Sequence, residues 1–334
     1  MRVTDLRGVD LARYAFDFDL TFSALLMHAD GHVYHRYGGR DHSSPTVWLG
    51  FESLESLLRA TLVEHEAYAA APQPPAKHEA LRLEAVKSYA RRDKGECIHC
   101  HMVLPALHEE ALAAGRWRDG DLWMYPDPAR IGLVLDPVDQ ARIVSVEEGS
   151  AAQVGGLLAG DRLVALGEQR ILTATDVQWA LHHAASTATQ VPVRFVRDGA
   201  EHEAVLALAD GWRVGSPLDF SWRPFKWHLT PQVGFGGPML SDAERRRLGL
   251  AADAFAMRVN YIVTWDEFSR YGKEATRAGL RKDDVVVSAG GRTDFASIEE
   301  LHAWWTLTRE PGETVEVVVL RGGERRVLEV NVLP

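Results

Sequence analysis

Apolar and polar positions change rhythm several times along the chain, and the changes divide it. Leu20 to Met27 is an apolar run of strand length, and a turn at Ala29-Asp30-Gly31 leads to a second strand-like run from His32 to Tyr37. Gly38-Gly39 ends this pair, after which Leu54, Leu57, Leu58 and Leu62 recur at helical spacing. Residues 69–76, small and broken by Pro72, Pro74 and Pro75, carry no period and read as an extended linker. A charged helix is predicted from Lys77 to Ala90, with Leu81, Ala85 and Tyr89 on one stripe. A second is predicted from Pro105 to Ala114, with Leu107, Ala111 and Leu112 apolar.

From about Arg130 the texture becomes β-rich. Ile131 to Leu135 and Ala141 to Val146 predict strands, and a glycine-punctuated block from Gly149 to Gly167 surrounds the apolar run Leu163 to Leu166. A helix from Thr175 to Ala184 follows, then strands Pro192 to Val196 and Ala204 to Ala209 about a turn at Asp198-Gly199. The same order returns downstream. Val233 to Gly237 and Ala256 to Val263 precede a block from Ala275 to Gly291, a helix from Ile298 to Trp305, and a hairpin of Glu313 to Leu320 with Arg325 to Val332. The chain therefore contains an internal repeat. Its expected class is α+β and multidomain, in segments 1–68, 69–76, 77–129, 130–210, 211–231 and 232–334.

Length and charge narrow the function. A chain of 334 residues is long enough for two or three cores, and a formal charge of −10 without a Lys/Arg stripe argues against a nucleic-acid partner. Arg245-Arg246-Arg247 reads as the solvated face of a short helix. No apolar stretch approaches the roughly 20 residues of a membrane span. The start, Met1 to Asp5, lacks the apolar core of an export signal. Trp212, Trp222, Trp227, Trp304 and Trp305 suit either core packing or a ligand surface.

One short stretch specifies a chemistry by residue type and spacing. Cys97-Ile98-His99-Cys100-His101 is the C-x-x-C-H arrangement of covalent c-type haem attachment: two thiols one helical turn apart add across the vinyl groups, and the following imidazole ligates iron. Cys97, Cys100 and His101 are thus candidate haem residues, and Met124 is the first candidate for the sixth ligand, ahead of His108. Met102 adjoins the proximal histidine and is poorly placed for the distal face. Other readings of the pair are a redox dithiol or disulfide, a zinc site completed by His99, His101 and His108, or no function. A haem-bearing chain would work outside the cytoplasm with a redox partner, its leader lost from a clipped start; a chain without haem would be cytoplasmic.

Three resemblances follow from these residues. The glycine blocks at 149–167 and 275–291, with the strands and helices around them, resemble PDZ domains of bacterial HtrA-type proteins, at about 130–210 and 232–334. The second departs at Asp283, where those proteins usually have glycine. The resemblance implies that an extended peptide or protein C-terminus adds to an open strand edge, with backbone N–H groups at Ile131, Gly132 and Leu133, and at Gly234 and Phe235, holding its carboxylate. Strand, hairpin, strand and helix over about 10–66 resemble the second half of a thioredoxin-like fold, without the part that would carry its cysteines. Helix, C-x-x-C-H and helix resemble the opening of a class I cytochrome c. Protease activity is not expected: too few residues precede the first repeat for a trypsin-like double barrel, no G-x-S-x-G elbow is present, and Asp41, His42, Ser43 and Ser44 are neighbours by coincidence.

Overall fold

The computed structural model describes residues 2–91 and 95–334; Met1 and, within the expected 77–129 segment, Arg92, Asp93 and Lys94 lie outside the described residues. The chain divides into two compact units, Met1–Gly215 and Ser216–Pro334, and the division falls inside the tryptophan-rich stretch 211–231. Both units mix helices and strands.

The first unit opens with an antiparallel hairpin of β1 (Ser23–Met27) and β2 (Val33–Gly38), turned at Asp30-Gly31. The pair forms a two-stranded sheet of its own. Helix α1 (Phe51–Ala70) follows and buries Ser53, Leu57 and Thr61, one side of the helix at a four-residue spacing. Leu58 and Leu62, expected on the apolar stripe, are exposed.

The helix expected from Lys77 to Ala90 does not form as one piece. A 3-10 turn at Leu83–Ala85 and the four-residue α2 (Lys87–Ala90) flank Val86, whose backbone is extended. Tertiary bonds replace helical ones here: Leu11 N donates to Leu81 O, and Leu81 N and Gly8 N donate to the side chains of Asp10 and Glu84. Leu83 and Val86 are buried by this packing rather than by a helical stripe. Helix α3 (Val103–Ala113) starts two residues before Pro105, which the first turn tolerates because its N–H would be unpaired there anyway. It buries Val103, Leu104 and Ala106 and exposes Leu112.

The β-rich part of this unit begins with the two-stranded sheet of β3 (Leu133–Leu135) and β4 (Ile143–Val146). Helix α4 (Ala151–Val154), strands β5 (Arg162–Leu166) and β6 (Gln169–Arg170), helix α5 (Ala174–His183), and strands β7 (Thr189–Arg197) and β8 (Ala200–Leu208) follow. They build a four-stranded sheet in the order β6-β5-β7-β8. Its core gathers Ile131, Leu133, Leu135, Val177 and Leu181 with Val191, Val193 and Phe195, and takes in Trp48 from far upstream.

The second unit repeats this plan. After α6 (Pro217–Phe220), strand β9 (Phe235–Gly236) pairs with β11 (Tyr261–Ile262), and α7 (Asp242–Arg247) lies between them in sequence. Strand β10 (Met257–Arg258), helix α8 (Ser269–Arg277), β12 (Val285–Ala289), helix α9 (Ile298–Thr308), β13 (Thr314–Arg321) and β14 (Glu324–Asn331) complete it, with sheet order β10-β12-β13-β14. Trp304 and Trp305 belong to its buried core.

The repeat extends to atoms. In the first unit the buried Asp161 accepts two bonds of 2.7 Å from the guanidinium of Arg197, which also donates to Gly156 O, and accepts Leu158 N at 2.8 Å. In the second, Asp284 accepts two bonds of 2.7 Å from Arg321, which donates to Gly279 O, and accepts Arg281 N at 2.8 Å. The residue before each aspartate is left-handed, Gly160 at φ 93° and Asp283 at φ 70°. Asp283 thus adopts the backbone that glycine has in the first copy, at the modest cost that aspartate tolerates.

Candidate functional site

A strand edge that can receive a peptide must present an outward N–H and C=O beside a wall. In the first unit, Glu147 N donates to Gly132 O, and Leu133 is paired with Val146. That pattern makes Leu133 and Val146 a non-hydrogen-bonded pair, so the N–H and C=O of Leu133 point away from β4. No other backbone group meets them among the described residues. Of the three residues expected to hold a carboxylate, only Leu133 presents its backbone in this way. Ile131 is buried in a 3-10 turn, Pro128–Ile131, and the Gly132 N–H donates to Ala129 O at 3.0 Å. The expected role of the Gly132 N–H is therefore corrected: closing the turn uses the proton that a carboxylate would need.

The second unit has the same arrangement with one addition. Val263 N donates to Gly234 O and Phe235 pairs with Ile262, so the Phe235 backbone points outward as that of Leu133 does. Its carbonyl is met by the side chain of α9: His302 Nε2 lies 3.0 Å from Phe235 O. Because a carbonyl only accepts, Nε2 carries the proton. Burial drives the His302 imidazole down to about 4, so it is neutral at physiological pH, and Nδ1 is buried with no hydrogen-bond partner. Next to this contact is a cavity of about 350 Å³ lined by Trp227, Phe235, Tyr261, Trp265, Phe268 and Tyr271, with Gly234 and His302 at its wall. Trp227 and Trp265 are half-exposed at its rim, and Trp227 meets His302 edge-on at 5.0 Å. Gly234 and Phe235, singled out in the sequence, are brought to the cavity, whereas the aromatic residues from β11 onward were not anticipated.

Helix α5 shows what its partner segments do to the first edge. His302 stands five residues after the N-cap Ser297, and Gln178 stands five after the N-cap Thr173, so Gln178 is the position of α5 that corresponds to His302 of α9. Tyr125, which leads into the 3-10 turn before β3, stacks on His182 of the same flank at 4.1 Å. The outer side of α5 is covered by β2. His35, wholly buried, places Nδ1 2.8 Å from Asp176 Oδ2 and Nε2 2.8 Å from Glu64 Oε2. Burial pulls the imidazole down, but two carboxylates bonded to its two nitrogens outweigh that and hold it up at about 9, as an imidazolium. Arg36 N donates to Asp176 Oδ1, Thr173 Oγ1 donates to Arg36 O, and the Arg36 guanidinium sits 3.2 Å over the Trp179 ring. Sequence reasoning passed over this triad because its members lie 29 and 141 residues apart.

The cysteine motif is not helical over its length. His99 is extended, and a 3-10 turn begins only at Cys100, so the two thiols are not one helical turn apart as expected. The backbone before the turn is tied elsewhere, Ile98 N to Asp5 and Leu6 N to Ile98 O. Both thiols are free, Cys97 exposed and Cys100 half-buried with Sγ 3.4 Å from Leu20 O; burial pushes the Cys100 thiol up. His101 Nε2 is buried without a hydrogen-bond partner. Met124 lies half-buried one residue before Tyr125, and His108 sits edge-on to Trp117 at 4.3 Å. Among the described residues no three His, Cys, Asp or Glu side chains are grouped to hold a metal ion, and no helix is long and apolar enough to cross a membrane.

Residues 129–208 match the PDZ domain family, and the chain carries a PDZ domain there. A protein of Nostoc sp. (strain PCC 7120), provisionally named a zinc metalloprotease, is 31% identical over 107 residues, 32% of this chain and 24% of that protein. Two solved structures of the HtrA-type protease AlgW with decapeptide, one of them a variant, are similar at 19% and 16% identity with TM-scores of 0.26. They cover 42% and 54% of this chain and 40% and 57% of their own. The chain therefore spans about a quarter of the curated relative's length and about half of each solved chain.

Proposed function

We propose that this chain docks extended peptides or protein C-termini, as a non-enzymatic adaptor, and that its accessible site is the aromatic cavity of the second unit, built on a PDZ-like repeat. The PDZ domain at 129–208 supports peptide docking in general. The observation that carries the finer reading is the cavity of about 350 Å³ beside an outward-facing strand residue, Phe235, because main-chain pairing and a side-chain pocket then lie side by side. The neutral His302 donates to Phe235 O, so a peptide that pairs with this edge displaces an imidazole rather than water. The test is fluorescence anisotropy of a fluorescein-labelled decapeptide library with free C-terminal carboxylates on the full chain. Binding should fall roughly tenfold or more when Trp227 and Trp265, exposed and peripheral to the core, are both replaced by Ala. Binding that ignores this double substitution refutes the placement.

A second reading is kept at Cys97, Cys100 and His101, because the donor types match haem c and His101 Nε2 is buried without a partner. Two thioether links and one imidazole would hold the haem there, with Met124 as the sixth ligand, and the group would supply one-electron transfer with a redox partner outside the cytoplasm. Chain matured in a haem-attaching host should then keep its colour through acid-acetone extraction, and replacing both cysteines by Ala should remove the band. Colourless, matured chain with free thiols refutes this reading and leaves the adaptor.

A further inference from the structure

We propose that the groove between β3 and α5 of the PDZ domain is occupied in cis by residues 38–48 of the same chain, an internal ligand with which any external peptide must compete. The inference rests on the peptide-docking reading and adds that the two edges of the chain differ in access.

The strap is anchored at two points. At the first, Thr175 Oγ1 donates to Gly38 O at 2.8 Å, and a Cβ on Gly39 would stand 3.1 Å from Gln178 Oε1 and 3.2 Å from Thr175 Oγ1. The Gly39 backbone, at φ 91°, therefore lies directly against the flank of α5 that corresponds to the one from which His302 reaches Phe235 in the second unit. At the second, Trp48 is buried in the domain's core cluster, which also holds Leu133 and Leu135 of β3 and Val177 and Leu181 of α5. Its carbonyl accepts Gln140 Nε2 at 3.1 Å, and Gln140 Oε1 accepts Ala174 N at the start of α5. Between the anchors, His42, Ser43, Pro45 and Thr46 are exposed, so the strap touches the domain at its ends and is looped out in the middle.

What the strap leaves undone argues that it is a competitor and not a permanent wall. It lies against α5 and buries Trp48 in the core, yet no backbone bond from it reaches the outward edge of Leu133 among the described residues. A strand ligand would gain those bonds, against the loss of the strap's two anchors. A site whose open state is a minor population binds with an affinity reduced by that population, so loosening the strap strengthens external binding without altering the groove.

The experiment uses the full chain and two variants, Gly39→Val, which the left-handed backbone and the Gln178 contact oppose, and Trp48→Ala, which removes the strap's buried anchor. Hydrogen exchange reports strap release over 38–48, circular dichroism reports folding, and anisotropy of the free-carboxylate decapeptide library reports binding. Each protein is also made in the Trp227→Ala, Trp265→Ala background to remove the second-unit site. The expected result is faster exchange over 38–48 and, in that background, library binding at least roughly tenfold tighter than the parent with its strap in place shows. A folded variant with a released strap and unchanged binding in that background overturns the internal-ligand proposal, while second-unit binding by the parent leaves the peptide reading standing. Absence of library binding in every protein overturns both. If Gly39→Val does not fold, Trp48→Ala decides alone.

Discussion

The His35 triad makes the attachment of β2 to α5 dependent on a proton. The imidazole is enclosed between Asp176 and Glu64, each 2.8 Å away, with Arg36 as its chain neighbour and Arg170 paired to Glu64 at 2.9 Å. Its pKa rises from 6.5 to about 9 on folding, which corresponds to about 3 kcal/mol. A group whose folded pKa is raised contributes fully below its unfolded value and loses the contribution as pH climbs to the folded one. The attachment should therefore be strongest below about pH 6.5 and weaken progressively up to about pH 9. Because the two units need not unfold together, the measurement has to be local: hydrogen exchange of the amides of β2 and α5, corrected for intrinsic rates, between about pH 6 and about pH 9. The opening free energy of these amides should fall by about 2–3 kcal/mol across the range. In His35→Gln, where no proton can be lost, the slope should vanish and the opening free energy at pH 6 should already be lower by about 3 kcal/mol, the cost of leaving two carboxylates without their cation. A slope that is flat in the parent, or equally steep in His35→Gln, refutes the imidazolium reading.

Two further expectations follow from the repeat and one from the cavity. Replacing Arg197 by Ala leaves Asp161 buried without its guanidinium, and Arg321→Ala does the same to Asp284; each should destabilise its own unit by about 3 kcal/mol and not the other, read as exchange or proteolysis confined to that unit. The Arg197 partner also holds the Asp161 carboxyl below its ordinary range against the cost of burial, so this contribution is present above about pH 4 and is lost as pH falls through the lowered value; acid denaturation of the first unit should begin at higher pH in Arg197→Ala. In α8, a Cβ at Gly272 would overlap the Val263 carbonyl, which leads from β11 into the cavity wall. Gly272→Ala should shift β11 against β9 and weaken peptide binding by the second unit more than it lowers its melting temperature.

Why some of this was legible in the sequence and some was not follows from the range of the interactions. The repeat is written locally: a Gly-Leu pair followed four residues after the leucine by an aspartate makes the same turn in both copies, and the Arg197 and Arg321 partners arrive through adjacent strands of one sheet. The outward edges at Leu133 and Phe235 follow from that repeat once register is fixed, and register follows from which residues are buried. The helix expected at 77–90 failed for the opposite reason. The expected stripe of Leu81, Ala85 and Tyr89 is not the buried set, because residues 5–11 compete for the backbone groups here, and a stripe pattern carries no information about a segment seventy residues upstream. The strap and the His35 triad fail the same test more severely, because nothing near Gly39, His35 or Trp48 announces α5. A histidine between strand residues reads as an ordinary half-buried position until the fold places a carboxylate on each nitrogen. The parts of this chain that decide access to its grooves are thus the parts with the longest contacts. Substitutions that leave the PDZ-like blocks untouched, at Gly39 or His35, should change binding while a comparison of those blocks alone would predict no change.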